Sequence, residues 1–367
     1  MPCRLAISSM SLGRSSAGHS LEHKLDMAAL YGYRGIELFH EDLASLAFQF
    51  LPPGTTATTE ESELQAASLI RQMCHHRHLA ILCLQPFAHY EGLLDRDAHS
   101  QRLKQLRFWF RLARALGTDM VQIPSSFLPA DQVSADRSLA VADLQEAADM
   151  GSAQNPPIRF VYEALCWGTR CDTWEGSWEV VKAVDRDNFG LCLDTFNIAG
   201  RIYADPASAT GKTVDCEQAV RESMDRLVSE VDLSKVFYVQ VVDAERLSTP
   251  LMKGHAFYNE EQPARMSWSR NCRLFYGEHE RGAYLPVTQI AGAIFDGLGF
   301  EGWVSLELFN RRMGDEDYDV PRELAARGGR SWEKLVRDLG LRVEDEEPAM
   351  QQQLRRLPLE GRVSASL

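Results

Sequence analysis

The feature that most restricts the possible folds is a set of eight short apolar segments separated by longer segments with helical periodicity. Each short segment is apolar at most positions, which is typical of parallel strands covered on both faces. The predicted strands are residues 4–10, 35–39, 79–87, 120–123, 158–164, 189–194, 236–242 and 303–309. Strands that alternate with helices indicate right-handed βαβ units, and eight such units close into a ring. The sequence therefore predicts an α/β fold, a (β/α)8 TIM barrel.

An open, doubly wound parallel sheet is the alternative arrangement of the same elements. Such a sheet normally carries a glycine-rich phosphate loop directly after its first strand. Here that position has the sequence SSMSLGRSSAGH, which contains neither GxGxxG nor GxxxxGK[ST]. The missing loop favours the barrel.

The predicted elements fit one domain over residues 1–342 of the 367-residue chain. Residues 51–60 are polar and rich in turn-forming residues, which predicts a surface loop. Residues 246–285 form a long insertion after the seventh strand, much longer than an ordinary strand-to-helix connection. Residues 343–367 are polar and charged without an apolar period, so we expect a loose C-terminal tail.

Composition excludes several classes of function. The chain has 39 Lys+Arg against 52 Asp+Glu, a formal net charge of −13, which argues against a nucleic acid partner. No segment approaches the ~20 apolar residues of a membrane span, and the N-terminus lacks the pattern of a secretion signal. The eight cysteines contain no CxxC pair and are typical of reduced thiols. We expect a cytoplasmic protein without a membrane partner, and the sequence leaves its oligomeric state open.

Four polar side chains interrupt the apolar pattern near the ends of successive strands, namely Glu163, Asp194, Gln240 and Glu307. The active site of a barrel lies at the carboxyl ends of its strands, so these groups should converge. Three buried carboxylates would repel one another unless arginines or a cation neutralised them. Oxygen ligands of this kind suit Mg²⁺, Mn²⁺ or Co²⁺. The pattern predicts a divalent metal site.

The motifs that contain these residues make the chain resemble a known family. YEALCWGTR, CLDTFNIAGR, VFYVQVVDAE, RMSWSRNCRLFYGE and WVSLELFNRR are similar to segments of the fungal 3-dehydroshikimate dehydratases, within the xylose isomerase-like barrel superfamily. The similarity runs from about residue 5 to residue 339. It implies that Glu163, Asp194, Gln240 and Glu307 are the metal ligands, the set that the strand ends suggest.

The resemblance also implies a reaction. Members of this family act in quinate degradation and convert 3-dehydroshikimate to protocatechuate by enolate formation and β-elimination of water. A divalent metal would serve as the Lewis acid in that reaction. The chain departs from the wider superfamily at Gln240 and Asn197, where many relatives have His. An amide cannot accept a proton at neutral pH, so we expect Asn197 to hydrogen-bond a substrate hydroxyl.

The small anionic substrate needs a cationic partner and a base. Arg273 and Arg270 are candidates for binding its carboxylate, with Ser269 as a neutral donor, because arginine can grip a carboxylate with two hydrogen bonds. Glu37, late in the second strand, either binds substrate or pairs with an arginine. His89 and His255 are the candidate bases by side-chain type.

Three other functions stay open at this stage. A metal-dependent sugar or cyclitol isomerase or epimerase on the same barrel would need a second base or a lysine. An apurinic endonuclease would need several metals and a surface able to meet DNA, which the net charge disfavours. A barrel without catalytic activity would bind a metabolite and regulate or scaffold.

Overall fold

Eight parallel strands close into a barrel in the computed structural model, which describes residues 2–344. Consecutive strands are neighbours, and the last strand, β10, lies between β7 and β1. The barrel strands are β1 Arg4–Ser8, β2 Gly35–Phe39, β3 Ala80–Gln85, β4 Met120–Pro124, β5 Arg159–Glu163, β6 Phe189–Asp194, β7 Val236–Gln240 and β10 Trp303–Leu306. Each one falls within, or within one residue of, a predicted segment, so the predicted (β/α)8 barrel is confirmed.

Helices follow the strands and cover the outside of the barrel. They are α1 Leu21–Leu30, α2 His40–Ala47, α3 Glu60–His76, α4 Arg96–Leu116, α5 Arg137–Ser152, α6 Trp174–Val184, α7 Thr195–Ile202, α8 Cys216–Glu230, α9 Ala264–Cys272, α10 Val287–Gly292 and α11 Val320–Leu339. Polar side chains begin several of them: Thr59 forms a capping box on α3, and Asp95 accepts two backbone N–H groups at the start of α4. No helix within residues 2–344 is long and apolar enough to cross a membrane.

The interior of the barrel is filled by a cluster of buried residues separate from the main core. Its members come from β1 and β3 to β7: Ala6, Leu82, Cys83, Met120, Val161, Cys192 and Tyr238. Residues two positions apart on a strand point to the same face. The polar residues that follow Cys83, Met120, Val161, Cys192 and Tyr238 by two positions therefore also point inward, one layer nearer the carboxyl end of the barrel. This alternation places the candidate site.

The predicted insertion after β7 is ordered. Strands β8 Asp243–Ala244 and β9 Arg273–Leu274 pair antiparallel, and α9 lies between them in sequence. At the other end of the barrel, Cys3 bridges to Val343, and an oxygen of Glu344 lies 3.9 Å from the Arg4 guanidinium. From residue 345 onward the predicted tail lies outside the described residues. All eight cysteines are buried and free.

Candidate active site

Three carboxylates meet at the carboxyl end of the barrel. Glu163 ends β5, Asp194 ends β6 and Glu307 directly follows β10, and one oxygen of each lies within 4.8 Å of the others. All three are buried, with 2–3% of their surface exposed. The structure thus brings together the carboxylates that the strand-end pattern predicted.

This acid cluster carries more negative charge than its protein partners neutralise. The one cation in contact with it, in the described part of the chain, is Arg273, whose Nη1 donates to Asp194 at 3.0 Å and to Glu307 at 3.2 Å. Burial and the neighbouring Glu307 and Asp194 raise the pKa of Glu163 well above its usual range. Burial raises the pKa of Glu307 to about 8, although Arg273 acts in the opposite direction. A cation would relieve this excess charge.

Three glutamines orient the carboxylates. Gln122 Nε2 donates to Glu163 at 2.7 Å, and Gln85 Nε2 donates to Glu307 at 3.1 Å and to Glu37 at 2.9 Å. Gln240 Nε2 donates to Glu37 at 2.9 Å, and no donor in the described part of the chain reaches its buried Oε1. The three carboxylates suit a hard divalent cation, and the Oε1 atoms of Gln240 and Gln122, both buried without a donor in the described part of the chain, are available as further oxygen ligands.

Asn197 supports the acid cluster and does not face the cavity. Asp194 begins α7 by accepting the Phe196 N–H, so the Asn197 side chain, one residue further on, folds back over it. Its Nδ2 donates to Glu163 at 2.8 Å and to Asp194 at 2.7 Å, and its Oδ1 accepts the Cys166 N–H. Both amide hydrogens of Asn197 are therefore used to hold these two carboxylates. No N–H of this side chain is left for the expected hydrogen bond to a substrate hydroxyl.

Arg273 is a fully buried guanidinium at the edge of the acid cluster. Burial acts against its charge, but Asp194, Glu307 and Glu163 outweigh that effect and raise its pKa. Its Nε donates to Ser269 Oγ at 3.1 Å, while its Nη2 is buried and has no partner within residues 2–344. The free Nη2 is a donor available to an anionic ligand.

A cavity of about 420 Å³ opens above the acid cluster. Its walls are largely apolar and aromatic, its floor includes Glu163, Glu307 and Arg273, and its rim carries Arg14, Glu41 and Arg270. The remaining lining residues are Met10, Phe39, Gln85, Pro86, Ala88, Gln122, Pro124, Phe127, Leu165, Trp167, Ser269 and Phe309. A largely apolar pocket with a few convergent polar groups is typical of a small-molecule site.

The histidines proposed as bases lie outside this lining set. No histidine in the described part of the chain lines the cavity. His89 packs against Phe127 with ring centroids 4.3 Å apart, and its backbone is left-handed, with φ 57°. Burial and the charge of Arg102 lower the pKa of His89 to about 4. His255 lies in the insertion, where its Nδ1 accepts the Phe257 N–H.

Glu37 is also outside the cavity. It is fully buried, and its carboxylate accepts hydrogen bonds from Tyr238, Gln85 and Gln240. Burial raises the pKa of Glu37 to about 7, and the bonds from Tyr238 and Gln240 oppose that rise. Its partners are uncharged side chains, so the structure contains neither the expected arginine pair nor an opening to substrate.

Four polar residues of the site are absent from the sequence predictions: Gln85, Gln122, Arg14 and Glu41. The two glutamines carried a usable signal, because each stands two positions after an interior apolar residue near the end of a strand. Arg14 and Glu41 carried none, because a loop residue and a first-turn helical residue reach the rim only through tertiary packing.

Comparisons with known proteins agree with the barrel fold. A family model described as xylose isomerase-like TIM barrel matches residues 25–335. A 3-dehydroshikimate dehydratase of Neurospora crassa is 61% identical over 346 residues, which cover 94% of this chain and 96% of that protein.

Two solved structures are similar to this chain. A fusion protein of a xylose isomerase-like TIM barrel and a 4-hydroxyphenylpyruvate dioxygenase has a TM-score of 0.67 and 27% identity, covering 92% of this chain and 44% of that one. The IolI protein with a bound zinc atom has a TM-score of 0.63 and 17% identity, covering 91% of this chain and 98% of that one. At 17% identity the second likeness shows the fold alone.

Proposed function

The chain belongs to the xylose isomerase-like TIM barrel family, and from this premise we infer that it catalyses the dehydration of 3-dehydroshikimate to protocatechuate. The sequence identity to the Neurospora crassa enzyme carries the inference, because the similarity extends over nearly the whole of both chains. The cavity supports it, since oxygen ligands at the floor and arginines at the rim suit a ring with a ketone, hydroxyls and a carboxylate. The reaction belongs to quinate degradation, and a cytoplasmic location stays a prediction.

A divalent cation bound by Glu163, Asp194, Gln240 and Glu307 is the proposed cofactor. The all-oxygen donor set favours Mg²⁺, Mn²⁺ or Co²⁺ over Zn²⁺. When bound, the cation supplies Lewis acidity toward the substrate ketone and its neighbouring hydroxyl. Gln85, Gln122 and Asn197 hold the carboxylates in place through the hydrogen bonds described above.

Arginines bind the substrate carboxylate in this proposal. Arg273 offers its free Nη2 at the floor, and Ser269 Oγ lies beside the same guanidinium. Arg270 and Arg14 both lie at the rim of the cavity, where their positive charges repel each other. Burial lowers the pKa of Arg270, and the charge of Arg14 lowers it further. Arg14 already has Glu41 Oε2 4.0 Å from its Nη1, and a substrate anion adds a second negative partner for both arginines, so we add Arg14 to Arg270 and Arg273 as a substrate-binding residue.

Proton transfer needs a base outside the acid cluster. Among the described lining residues that group is Glu41, which also accepts a hydrogen bond from Ser15 Oγ at 3.3 Å. We assign to Glu41 the removal of the proton from the carbon next to the substrate ketone. Glu41 then gives this proton to the hydroxyl beta to the ketone, which leaves as water when its C–O bond breaks, and tautomerisation gives the aromatic catechol. His89, next to the lining residue Ala88, stays the alternative base, as does His255.

The sugar isomerase alternative fits the cavity less well. A lysine or a second base would be needed to move protons between neighbouring carbons of a sugar, and the described lining residues include no lysine. Aromatic side chains of Phe39, Phe127, Trp167 and Phe309 instead suit a flat ring product.

The assay that tests the proposal follows catechol absorbance in the near ultraviolet. Protein stripped of metal and protein loaded with Mn²⁺, Mg²⁺ or Co²⁺ are each incubated with 3-dehydroshikimate. We expect protocatechuate from a loaded form and a large loss of turnover after chelation. Glu163→Ala is expected to lose both metal content and turnover, and Phe50→Ala, on the surface and outside the cavity lining, serves as a control. No product with any divalent ion would refute the dehydratase proposal, and full metal content in Glu163→Ala would refute the ligand set.

A further inference from the structure

Glu37 is a buried carboxylate that receives several side-chain hydrogen bonds and contacts no open space. Tyr238 OH donates to its Oε2 at 2.8 Å and Gln85 Nε2 donates to the same atom at 2.9 Å. Gln240 Nε2 donates to Oε1 at 3.2 Å and to Oε2 at 2.9 Å. The residue is 0% exposed and does not line the cavity. Its contacts are therefore all internal.

These contacts determine which way the Gln240 amide faces. A carboxylate oxygen only accepts hydrogen bonds, so the end of the amide that faces Glu37 must be the NH₂ group. The carbonyl Oε1 then points away from Glu37, and no donor within residues 2–344 satisfies it although it is buried. A buried amide oxygen without a donor is costly unless another electron-pair acceptor, such as a cation, meets it.

An amide that binds a cation needs such a constraint. The two ends of a glutamine side chain have nearly the same shape, and a flipped amide would present its NH₂ group to the cation. A carboxylate behind the amide favours one of the two orientations, because only one allows hydrogen bonds. Gln85 extends the same effect to the acid cluster, since its Nε2 joins Glu37 to Glu307.

We propose that Glu37 is a positioning residue that fixes the Gln240 amide with its carbonyl oxygen toward the acid cluster. The proposal rests on the metal site proposed above, and it replaces the substrate-binding role that the sequence suggested for Glu37. Glu37 acts through Gln240 and Gln85, so it sets metal affinity and not the contact with substrate. Partners behind metal ligands commonly change metal affinity by about 10–100-fold.

The test measures Mn²⁺ affinity of metal-free protein by titration calorimetry and by the electron paramagnetic resonance signal of free Mn²⁺, without substrate. We expect E37Q to bind Mn²⁺ about 10–100-fold more weakly than wild type, because the amide at position 240 can then face either way. Tyr238→Phe is the matched control: it removes one donor to Glu37, keeps the carboxylate and is expected to retain near wild-type affinity. Thermal unfolding shows whether each variant folds.

The charge-swapped double variant E37Q/Q240E supplies the second readout. A carboxylate has two equivalent oxygens, so the ligand at position 240 no longer needs orienting, and the introduced amide can donate to the introduced carboxylate. We expect this variant to recover Mn²⁺ affinity to at least the wild-type value, and it carries the test if E37Q alone does not fold. Weak binding by a folded double variant would overturn the proposal.

Wild-type Mn²⁺ affinity in E37Q, combined with a raised KM for substrate, would also overturn it and restore a substrate contact for Glu37. These outcomes differ from failure of the proposed function. If wild type binds Mn²⁺ but does not dehydrate 3-dehydroshikimate, the reaction is wrong while the positioning role stands. If wild type binds no divalent cation, the positioning role fails.

Discussion

At the scale of single residues, burial decides what each charged group in the barrel can do. Glu37, Glu163, Asp194 and Glu307 are all at least 97% buried, and Arg273 is the one guanidinium in contact with them in the described chain. Desolvation of that many carboxylates favours either protonation or a bound cation. The amides of Gln85, Gln122, Gln240 and Asn197 add hydrogen bonds but no charge. The number of buried carboxylates therefore supports the proposed cation.

The assignment of the base gives a prediction about two single residues. We expect Glu41→Gln to lower kcat by about 10²–10⁴-fold, the usual contribution of a general base, with little change in KM. His89→Asn is the comparison, because asparagine tolerates the left-handed backbone of this position and should leave kcat near the wild-type value. Product absorbance gives kcat and KM for both. The opposite pattern would transfer the role of base to His89.

At the scale of elements, an ion pair fixes the loop that carries Arg14. Lys24 of α1 is fully buried, and its Nζ donates to Asp42 of α2 and to the carbonyl oxygen of Gly13 at 2.8 Å. Gly13 has φ 125°, and a Cβ there would lie 2.6 Å from the His19 ring, so only glycine fits. These contacts join α1, α2 and the loop after β1 at the rim of the cavity.

This ion pair supplies a prediction about stability. Lys24→Met leaves the Asp42 carboxylate buried without its cation, so we expect a loss of about 3–5 kcal/mol in the free energy of unfolding. The double variant K24M/D42L removes both charges and should recover most of that loss. Urea unfolding measures both effects. Equal instability of the single and double variants would show that the packing of Lys24, and not its charge, holds the loop.

At the scale of the whole molecule, charge is distributed unevenly. The chain has a net charge of −13, yet three arginines line the cavity above the acid cluster. Two arginines of the insertion after β7, Arg270 and Arg273, reach the cavity. Others serve the fold: Arg265 donates to backbone oxygens of Gly200 and Ala204. An acidic protein can thus present a local cationic surface to an anionic substrate.

Global stability should depend on pH through Glu91. This carboxylate is 4% exposed and accepts hydrogen bonds from Ser126 N and Tyr162 OH. Burial raises the pKa of Glu91 from 4.5 to about 7. The folded state therefore holds the proton more tightly than the unfolded state, so the contribution of Glu91 is full below pH 4.5 and is lost as pH rises through about 7.

The matching variant is Glu91→Gln, which cannot ionise. Relative to this variant, wild type should lose up to about 3 kcal/mol of unfolding free energy between the two pKa values. Chemical unfolding at pH 4.5 and pH 8 measures the difference. If the difference in unfolding free energy stays constant across this range, the pKa of Glu91 is the same in the folded and the unfolded state.

Local sequence patterns were enough to predict the barrel and the carboxylates of the site. Strand and helix periodicity are local properties, and Glu163, Asp194 and Glu307 stood out because a carboxylate in an apolar strand is costly unless it has a function. The barrel then brings strand ends together whatever the loops do, so three side chains distant in sequence could be placed in one cluster.

Only the tertiary structure decided the roles of the surrounding side chains. The pairing of amide hydrogens with carboxylates depends on side-chain directions across the barrel. The sequence therefore could not show that Asn197 donates both of its amide hydrogens to carboxylates. It also could not show that Gln240 directs its NH₂ group toward Glu37. The residues at the rim of the cavity depend on how the loops pack. Arg14 and Glu41 line the cavity, whereas His255 does not. Strand pattern is encoded locally, whereas hydrogen-bond direction and loop position result from long-range packing.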